Sequence, residues 1–512
     1  MDQLYDVLVE LGSLCAVSFG PQGGDHLIVI PSKSCLMVTN CGSVVMRHIS
    51  CRKRPGGLFI SRVIRNFDDL NGDGSSGLCL MLKATLEKLP RLSRRRRIDL
   101  LEEINIFRGN KLDGIVDTII RDLSLFSLSL DRLECVIASS LRGQFVPGTE
   151  QMISGALASW ISSTAGCHPQ ISLAEVVGLL SKRSNDLLVC KPTGELSVEA
   201  LPLGDVLLCC PALFRVNAQA GMWNRIASVD CRFMVLKCSV APLYGDDTSQ
   251  AVQVVTGNDM KTVFGFNARG IERYIRFIHG LTKLRLLVST EELPYPALGI
   301  CEELGILALQ YVPVDIAETL SSISGIQTVG SLDEIYSLNI DRFIGTAQSV
   351  EEVQFDEDTF HIVVKGIKRP RAALHVPQMI VQASSMGVCT QLKTSLIRCL
   401  KLLDCCLRHH IGPHVISGGG AFEAFIIGSL EGNSDLTKVL GAALAAPVQC
   451  LVGDFQFPLK NSSLRFHECH WSVVDATSIG EALEPLALKV NQLDCLLQTY
   501  QQILRIDKVI MV

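Results

Sequence analysis

Two glycine-rich stretches stand about 350 positions apart in a chain of 512 residues: Asn71-Gly72-Asp73-Gly74-Ser75-Ser76-Gly77 and Ser417-Gly418-Gly419-Gly420-Ala421-Phe422-Glu423. Two further tight turns come earlier, Gly20-Pro21-Gln22-Gly23 and Thr39-Asn40-Cys41-Gly42. Glycine admits positive φ and lets the backbone approach a ligand closely, and a bound phosphate needs converging backbone N–H donors. Gly72–Ser76 runs directly into the apolar run Leu78–Leu82, an order that presents free N–H groups at a helix N-terminus. Asp73 adds a hard oxygen suited to Mg²⁺, which takes one or two carboxylates and keeps most of its waters. Each stretch also has a plainer reading. The first suits an Asp-Gly turn with a serine cap, and Gly418–Gly420 suits a tight interdomain turn.

A chain of this length exceeds one hydrophobic core and predicts about three domains. Hydrophobic residues make up 48% and charged residues 19%, with a mean hydropathy of +0.31. No apolar run reaches the roughly 18–20 residues that span a bilayer. Val439–Val452 comes nearest and is interrupted by Pro447. Membrane insertion is therefore not expected, and the excess apolar surface is assigned to core and protein–protein contact. The acidic opening Met-Asp-Gln-Leu-Tyr-Asp lacks the basic region of a secretory signal. The 20 cysteines are scattered without any Cys-x-x-Cys, as expected of reduced, buried thiols in the cytosol. A net charge of −5 offers no general field for nucleic acid.

The spacing Leu4-Val7-Leu8-Leu11-Leu14 predicts an opening helix, followed by strands at Leu27–Ile30 and Cys35–Val38. Helical stretches follow at Leu58–Phe67 and Leu78–Leu89. From Leu187 the pattern turns β-like, and Lys191-Pro192-Thr193-Gly194 between two apolar runs predicts a hairpin. Strand-like runs at Met234–Val240, Leu284–Ser289 and Ile306–Val312, with a helix at Ala297–Leu304, predict a separate α/β domain ending near residue 345. Helix returns beyond about residue 390, with apolar stripes at Leu396-Leu400-Leu403-Leu407 and Leu486-Val490-Leu493-Leu497-Tyr500-Leu504.

The markers Gly20–Gly23, Thr39–Gly42, Gly72–Ser76, Gly418–Glu423, Glu484-Pro485 and Leu504–Asp507 occur in an order that resembles the group II chaperonins of the TCP-1/cpn60 family. The resemblance extends over essentially the whole chain. It implies a multidomain α + α/β fold with an equatorial domain from residues 1–130 and 391–512. An intermediate domain would comprise 131–208 and 346–390, and an apical domain 209–345. The implied ATP site comprises Gly20, Pro21, Gly23, Thr39, Asn40, Gly42, Gly72, Gly74, Ser75, Ser76, Gly418, Gly419, Gly420 and Glu484, with Asp73 holding Mg²⁺.

Two departures bear on hydrolysis. The family places an acidic residue third in Thr-Asn-Asp-Gly to position the attacking water, and here it is Cys41. A second family aspartate lies on the helix before the Gly-Gly-Gly turn. A gapless count back from Gly418 puts Lys401 there, with Asp404 one helical turn further on. Loss of both acids implies nucleotide binding without turnover, because phosphoryl transfer depends on positioning and electrostatics. Tyr244–Val288 is also too short and too apolar for the family's charged lid protrusion.

Gly325-Ile326-Gln327-Thr328-Val329, Leu304-Gly305-Ile306 with Val314-Asp315, and His470-Trp471-Ser472-Val473 resemble the McKusick–Kaufman/Bardet–Biedl branch of chaperonin-like proteins. That branch implies partnership with cytosolic chaperonin subunits and sister Bardet–Biedl chaperonin-like proteins. Its clients would be subunits of the BBSome, a ciliary cargo-adaptor coat, at the centrosome or basal body. An active ATP-driven folding subunit and a nucleotide-free scaffold are the rival expectations. Arg94–Arg97 is expected as a solvated turn. Cys405-Cys406 with His409-His410 matches no zinc spacing.

Overall fold

The computed structural model describes residues 2–20, 23–30, 35–48, 55–88, 94–122, 124–192, 194–202, 204–211, 230–240, 257–331, 334–335, 339–354, 359–368, 376–430, 432, 434–452, 465–467, 470–472 and 482–506. The chain divides into two compact units. The first joins Met1–Lys182 to Thr390–Val512, and the second is the continuous segment Arg183–Cys389.

The first unit is mainly helical. Helix α1 (Asp2–Val17) buries Val7, Leu8, Leu11 and Cys15 on the face its spacing predicts. Strands β1 (His26–Ile30) and β2 (Cys35–Thr39) form an antiparallel pair with His26 opposite Thr39. Short helix α2 (Gly42–His48) leads to α3 (Pro55–Asn71) and α4 (Ser75–Lys88). Leu78, Cys79, Leu80, Met81 and Leu82 are all buried, so this stretch of α4 is enclosed on every side. A continuous apolar run, without a polar face, suits that central position. The arginines expected in a turn instead open helix α5 (Arg94–Ile106). Next come α6 (Leu112–Asp122), β3 (Ser124–Ser127), α7 (Leu133–Leu141), α8 (Pro147–Cys167) and α9 (Leu173–Leu187).

The second unit carries the α/β pattern. It opens with β4 (Leu188–Pro192), β5 (Ser197–Ala200) and β6 (Val206–Pro211), then β7 (Cys231–Leu236). Helix α10 (Gly257–Thr282), β8 (Leu286–Ser289), α11 (Tyr295–Leu304), β9 (Leu307–Leu309) and α12 (Val314–Ser324) follow. β7, β8 and β9 are parallel neighbours, with β10 (Gly345–Ala347) antiparallel at the β7 edge. Such parallel strands need long crossovers, which α10 and α11 supply. Strands β11 (Ser349–Gln354) and β12 (Thr359–Lys365) pair antiparallel, with β6 on the other side of β12.

Strand β13 (Met379–Ala383) overturns the hairpin expectation. It lies between β4 and β5, parallel to the first and antiparallel to the second. A turn-like sequence thus joins two strands that never pair, because a strand nearly 190 residues later takes the place between them. Thr193 of that turn lies outside the described residues. Of the segment weighed as a lid, residues 244–256 lie outside them too. The rest forms α10, whose Ile271, Tyr274, Ile275 and Ile278 are buried in the core, and β8.

The chain returns to the first unit along α13 (Met386–Arg408), then β14 (His414–Ser417), α14 (Ala421–Ser429) and α15 (Asp435–Val452). After the strand pair β15 (Arg465–His467) and β16 (His470–Ser472), β17 (Leu483–Pro485) feeds α16 (Leu486–Leu504). β14 is central in a sheet of order β17-β14-β3, so strands from both ends of the chain meet there. None of the fifteen cysteines whose side chains are described forms a disulfide. Among the described residues no helix is long and apolar enough to cross a membrane.

Candidate functional site: a glycine-walled cavity with internal ion pairs

The ends of α1, β2, α3 and β14 bring the glycine turns to one cavity of about 200 Å³ in the first unit, with Arg398 and Leu402 of α13 along its wall. Gly20, Asn40, Cys41, Asp73, Gly74, Ser76, Gly419 and Glu484 line it. The other expected site residues stand just behind the wall and hold its shape. Gly23 donates its N–H to the Gly20 carbonyl at 3.0 Å, closing the first turn. Thr39 Oγ1 accepts from the Cys41 N–H at 3.1 Å, and the Gly42 N–H donates to Ser76 Oγ at 3.1 Å. Asn40 itself is tied down, its Nδ2 donating to the Gly143 carbonyl at 2.7 Å. Gly72 has φ +75° beside the Arg398 carbonyl, a place that no side chain fits. Ser75 is buried at the start of α4, and Gly418 and Gly420 flank Gly419 in the turn before α14. Pro21 lies outside the described residues.

A buried relay of polar groups runs along the floor. Cys41 Sγ lies 3.2 Å from Ser43 Oγ, and Ser43 donates to Asp68 Oδ2 at 2.6 Å. Arg398 Nη2 then stands 3.4 Å from Asp68 Oδ1 and 3.7 Å from Asp73 Oδ1. Asp73 is further engaged by the Ser140 hydroxyl at 2.8 Å and the Gly74 N–H at 2.7 Å. Burial works against the Arg398 charge, but Cys41, Asp68 and Asp73 outweigh it and hold the guanidinium above its ordinary value. Its neighbour Cys399 is pushed up to about 12, chiefly by burial.

A second cluster closes the opposite wall. Lys489 Nζ sits 2.9 Å from Glu423 Oε1 and 2.8 Å from Glu484 Oε2. Burial lowers the Lys489 value, yet Glu423 and Glu484 more than reverse that and keep the ammonium protonated. Burial raises the Glu484 carboxyl against the pull of Lys489. The charged lining residues Asp73, Glu423 and Glu484 are thus matched by Arg142, Arg398 and Lys489. The side chains leave no net positive field for a phosphate, so attraction would rest on backbone N–H groups.

Lys401, counted as the replacement for the hydrolytic aspartate, does not line the cavity. Its Nζ faces Asp69 at 3.6 Å, and Arg398, one helical turn earlier, lines the cavity instead. The gapless count from Gly418 runs through the turn 409–413 between α13 and β14, and its length sets which face of α13 looks inward. Asp404 also points elsewhere, forming an ion pair with Arg408, whose Nε lies 2.6 Å from its Oδ1. Arg398, Asp68, Ser43, Ser140 and Lys489 were not anticipated as site residues. The two cations did leave a signal: each is a lone charge inside an apolar helical run, Leu396–Leu400 and Leu486–Val490.

These residues do not suit Mg²⁺. A divalent ion needs carboxylate oxygens free to join its octahedral shell, but the Arg398 guanidinium already stands against both Asp68 and Asp73. A nucleotide is partly accommodated. The turns and the first turn of α4, whose N–H groups have no partner inside the helix, suit an anion. The cavity volume falls below the roughly 300–1,000 Å³ usual for small-molecule sites, so the walls must part to admit a whole nucleotide.

A cavity walled by glycine turns from both ends of a chain whose middle folds as a continuous α/β unit defines a chaperonin-type subunit. The chain belongs to the TCP-1/cpn60 chaperonin family, whose model matches residues 11–440. No curated protein matches the chain. Glu484 and Lys489 lie beyond the matched span, yet fold into the same cavity.

Proposed function

We propose that this chain is a chaperonin-like subunit that assists assembly of a multiprotein complex and binds nucleotide without hydrolysing it. One observation carries the reading. The floor of the site presents Cys41 and a guanidinium locked between Asp68 and Asp73, with no unpaired carboxylate there among the described residues to orient an attacking water. The resemblance of its sequence favours the McKusick–Kaufman/Bardet–Biedl branch. On that reading the partners are cytosolic chaperonin subunits and sister chaperonin-like proteins, the clients are BBSome subunits, and the place of work is the centrosome or basal body. The equatorial, intermediate and apical layout belongs to the same proposal.

Uncovered apolar residues support association with partners. Val17, Leu27, Val29 and Leu70 are 59–75% exposed, and Leu27 and Val29 alternate along one face of β1. A second reading, a scaffold that binds no nucleotide, draws support from the internal charge matching and the small cavity. The assembly claim is tested by co-expressing the full chain with cytosolic chaperonin subunits and BBSome subunits, followed by affinity capture and sizing. The expected result is co-elution in a hetero-oligomer. A monodisperse monomer at micromolar concentration that captures neither set contradicts it.

A further inference from the structure

Arg398 is buried to 9% exposure, and its Nη2 lies within 4 Å of two carboxylates from different parts of the α3–α4 region. Both carboxylates are also held by hydroxyls, Asp68 by Ser43 and Asp73 by Ser140. Two acidic side chains oriented by neutral donors towards one central positive charge form the coordination pattern of a cation site. Here a side chain supplies the cation. A guanidinium carries one charge where a divalent ion carries two, and it cannot be released or exchanged.

Arg398 also keeps a donor in reserve. Its Nε is buried and finds no acceptor among the described residues. Such an unpaired buried donor is costly, and the carboxylates of Asp68 and Asp73, held at the other end of the guanidinium, keep the charged group in place.

We propose that Arg398 is a tethered cation standing where Asp68 and Asp73 would otherwise hold a divalent metal, so that this subunit takes nucleoside phosphates free of metal. The nucleotide clause rests on the function proposed above; the exclusion of metal from the acidic pair does not. Three consequences follow from the charge arithmetic. The native chain gains no stability from Mg²⁺. Removal of the guanidinium leaves two facing carboxylates whose repulsion a divalent ion relieves. Nucleotide in EDTA stabilises the chain at least as well as its Mg²⁺ complex, because chelated Mg²⁺ meets Arg398 as a like charge.

The test is thermal melting of the full chain in EDTA and in millimolar Mg²⁺, with and without ADP. The wild type is expected to melt alike in both when nucleotide is absent. R398A should melt several degrees lower in EDTA and regain much of the loss in Mg²⁺. R398K should remain indifferent to metal. If R398A does not fold, R398Q, which removes the charge while keeping side-chain bulk and both carboxylates, is expected to fold and to gain stability from Mg²⁺. Stabilisation of the wild type by Mg²⁺ alone, or a folded R398A or R398Q variant as indifferent to Mg²⁺ as the wild type, overturns the tethered cation. ADP that shifts the melt only with Mg²⁺ overturns the metal-free clause and leaves nucleotide binding standing. ADP that shifts it in neither condition overturns nucleotide binding itself, and the Mg²⁺ response of R398A then decides the cation alone.

Discussion

Lys489 shows how far single residues govern this site. Its ammonium lies within 3 Å of both Glu423 and Glu484, and Glu423 is only 2% exposed. Lys489→Ala strands a buried carboxylate, a change that costs about 3–5 kcal/mol. Urea denaturation should show that loss, and a loss below about 1 kcal/mol would mean the cluster behaves as a screened surface pair. Gly72 gives a second case. With φ +75° and the Arg398 carbonyl where a Cβ would go, Gly72→Ala adds a steric clash to a left-handed strain of about 1–3 kcal/mol. Gly114, inside α6 with nothing near its missing Cβ, is the contrast: Gly114→Ala should stabilise by about 0.5–1 kcal/mol. The two melts should therefore move in opposite directions.

At the scale of elements, α13 carries the site on one side and the core on the other. Leu392, Leu396, Leu400 and Leu403 are fully buried, while Arg398 lines the cavity. Leu400→Ala should cost about 2–5 kcal/mol through the void it leaves. An unchanged denaturation midpoint would refute that packing. Much of this architecture was legible in the sequence, because apolar periodicity is local and directly visible: α1 and α16 follow their stripes. The glycine turns were legible because a positive φ or a close approach admits few other residues. The partners inside the site were not. Which face of α13 turns inward depends on the turn 409–413, and Lys489 reaches Glu423 from 66 positions away. The false hairpin has the same origin: a local turn signal cannot report that β13 occupies the space between β4 and β5.

For the molecule as a whole, the continuous unit Arg183–Cys389 has its own cores, centred on Phe233, Val288, Leu320 and Ile362 and on Ile275, Leu287 and Phe343. Expressed alone, it should give a cooperative melt, whereas Met1–Lys182 should not, because β14 and α16 complete its sheet and core from the other end of the chain. Alkali should reveal the buried thiols. Burial pushes Cys231, Cys301, Cys399 and Cys406 up to about 12, and Cys405 and Cys495 to about 11, from an ordinary value of 9.0. Above that ordinary value the unfolded chain releases thiol protons that the folded chain retains, so the unfolded state binds fewer protons and stability falls as pH rises. The contribution is complete below pH 9 and is lost towards pH 12, which urea melts across that range should register. The central claim is a nucleotide site that binds without turning over. Its most direct measurement is a melt of the purified chain with and without ATP, in Mg²⁺ and in EDTA, followed by phosphate release from the same sample. A stabilising shift with no phosphate released is the predicted result, since a ligand that binds only the native state must raise its stability. Phosphate release that disappears in Asp73→Ala would contradict it and make the chain an ATPase.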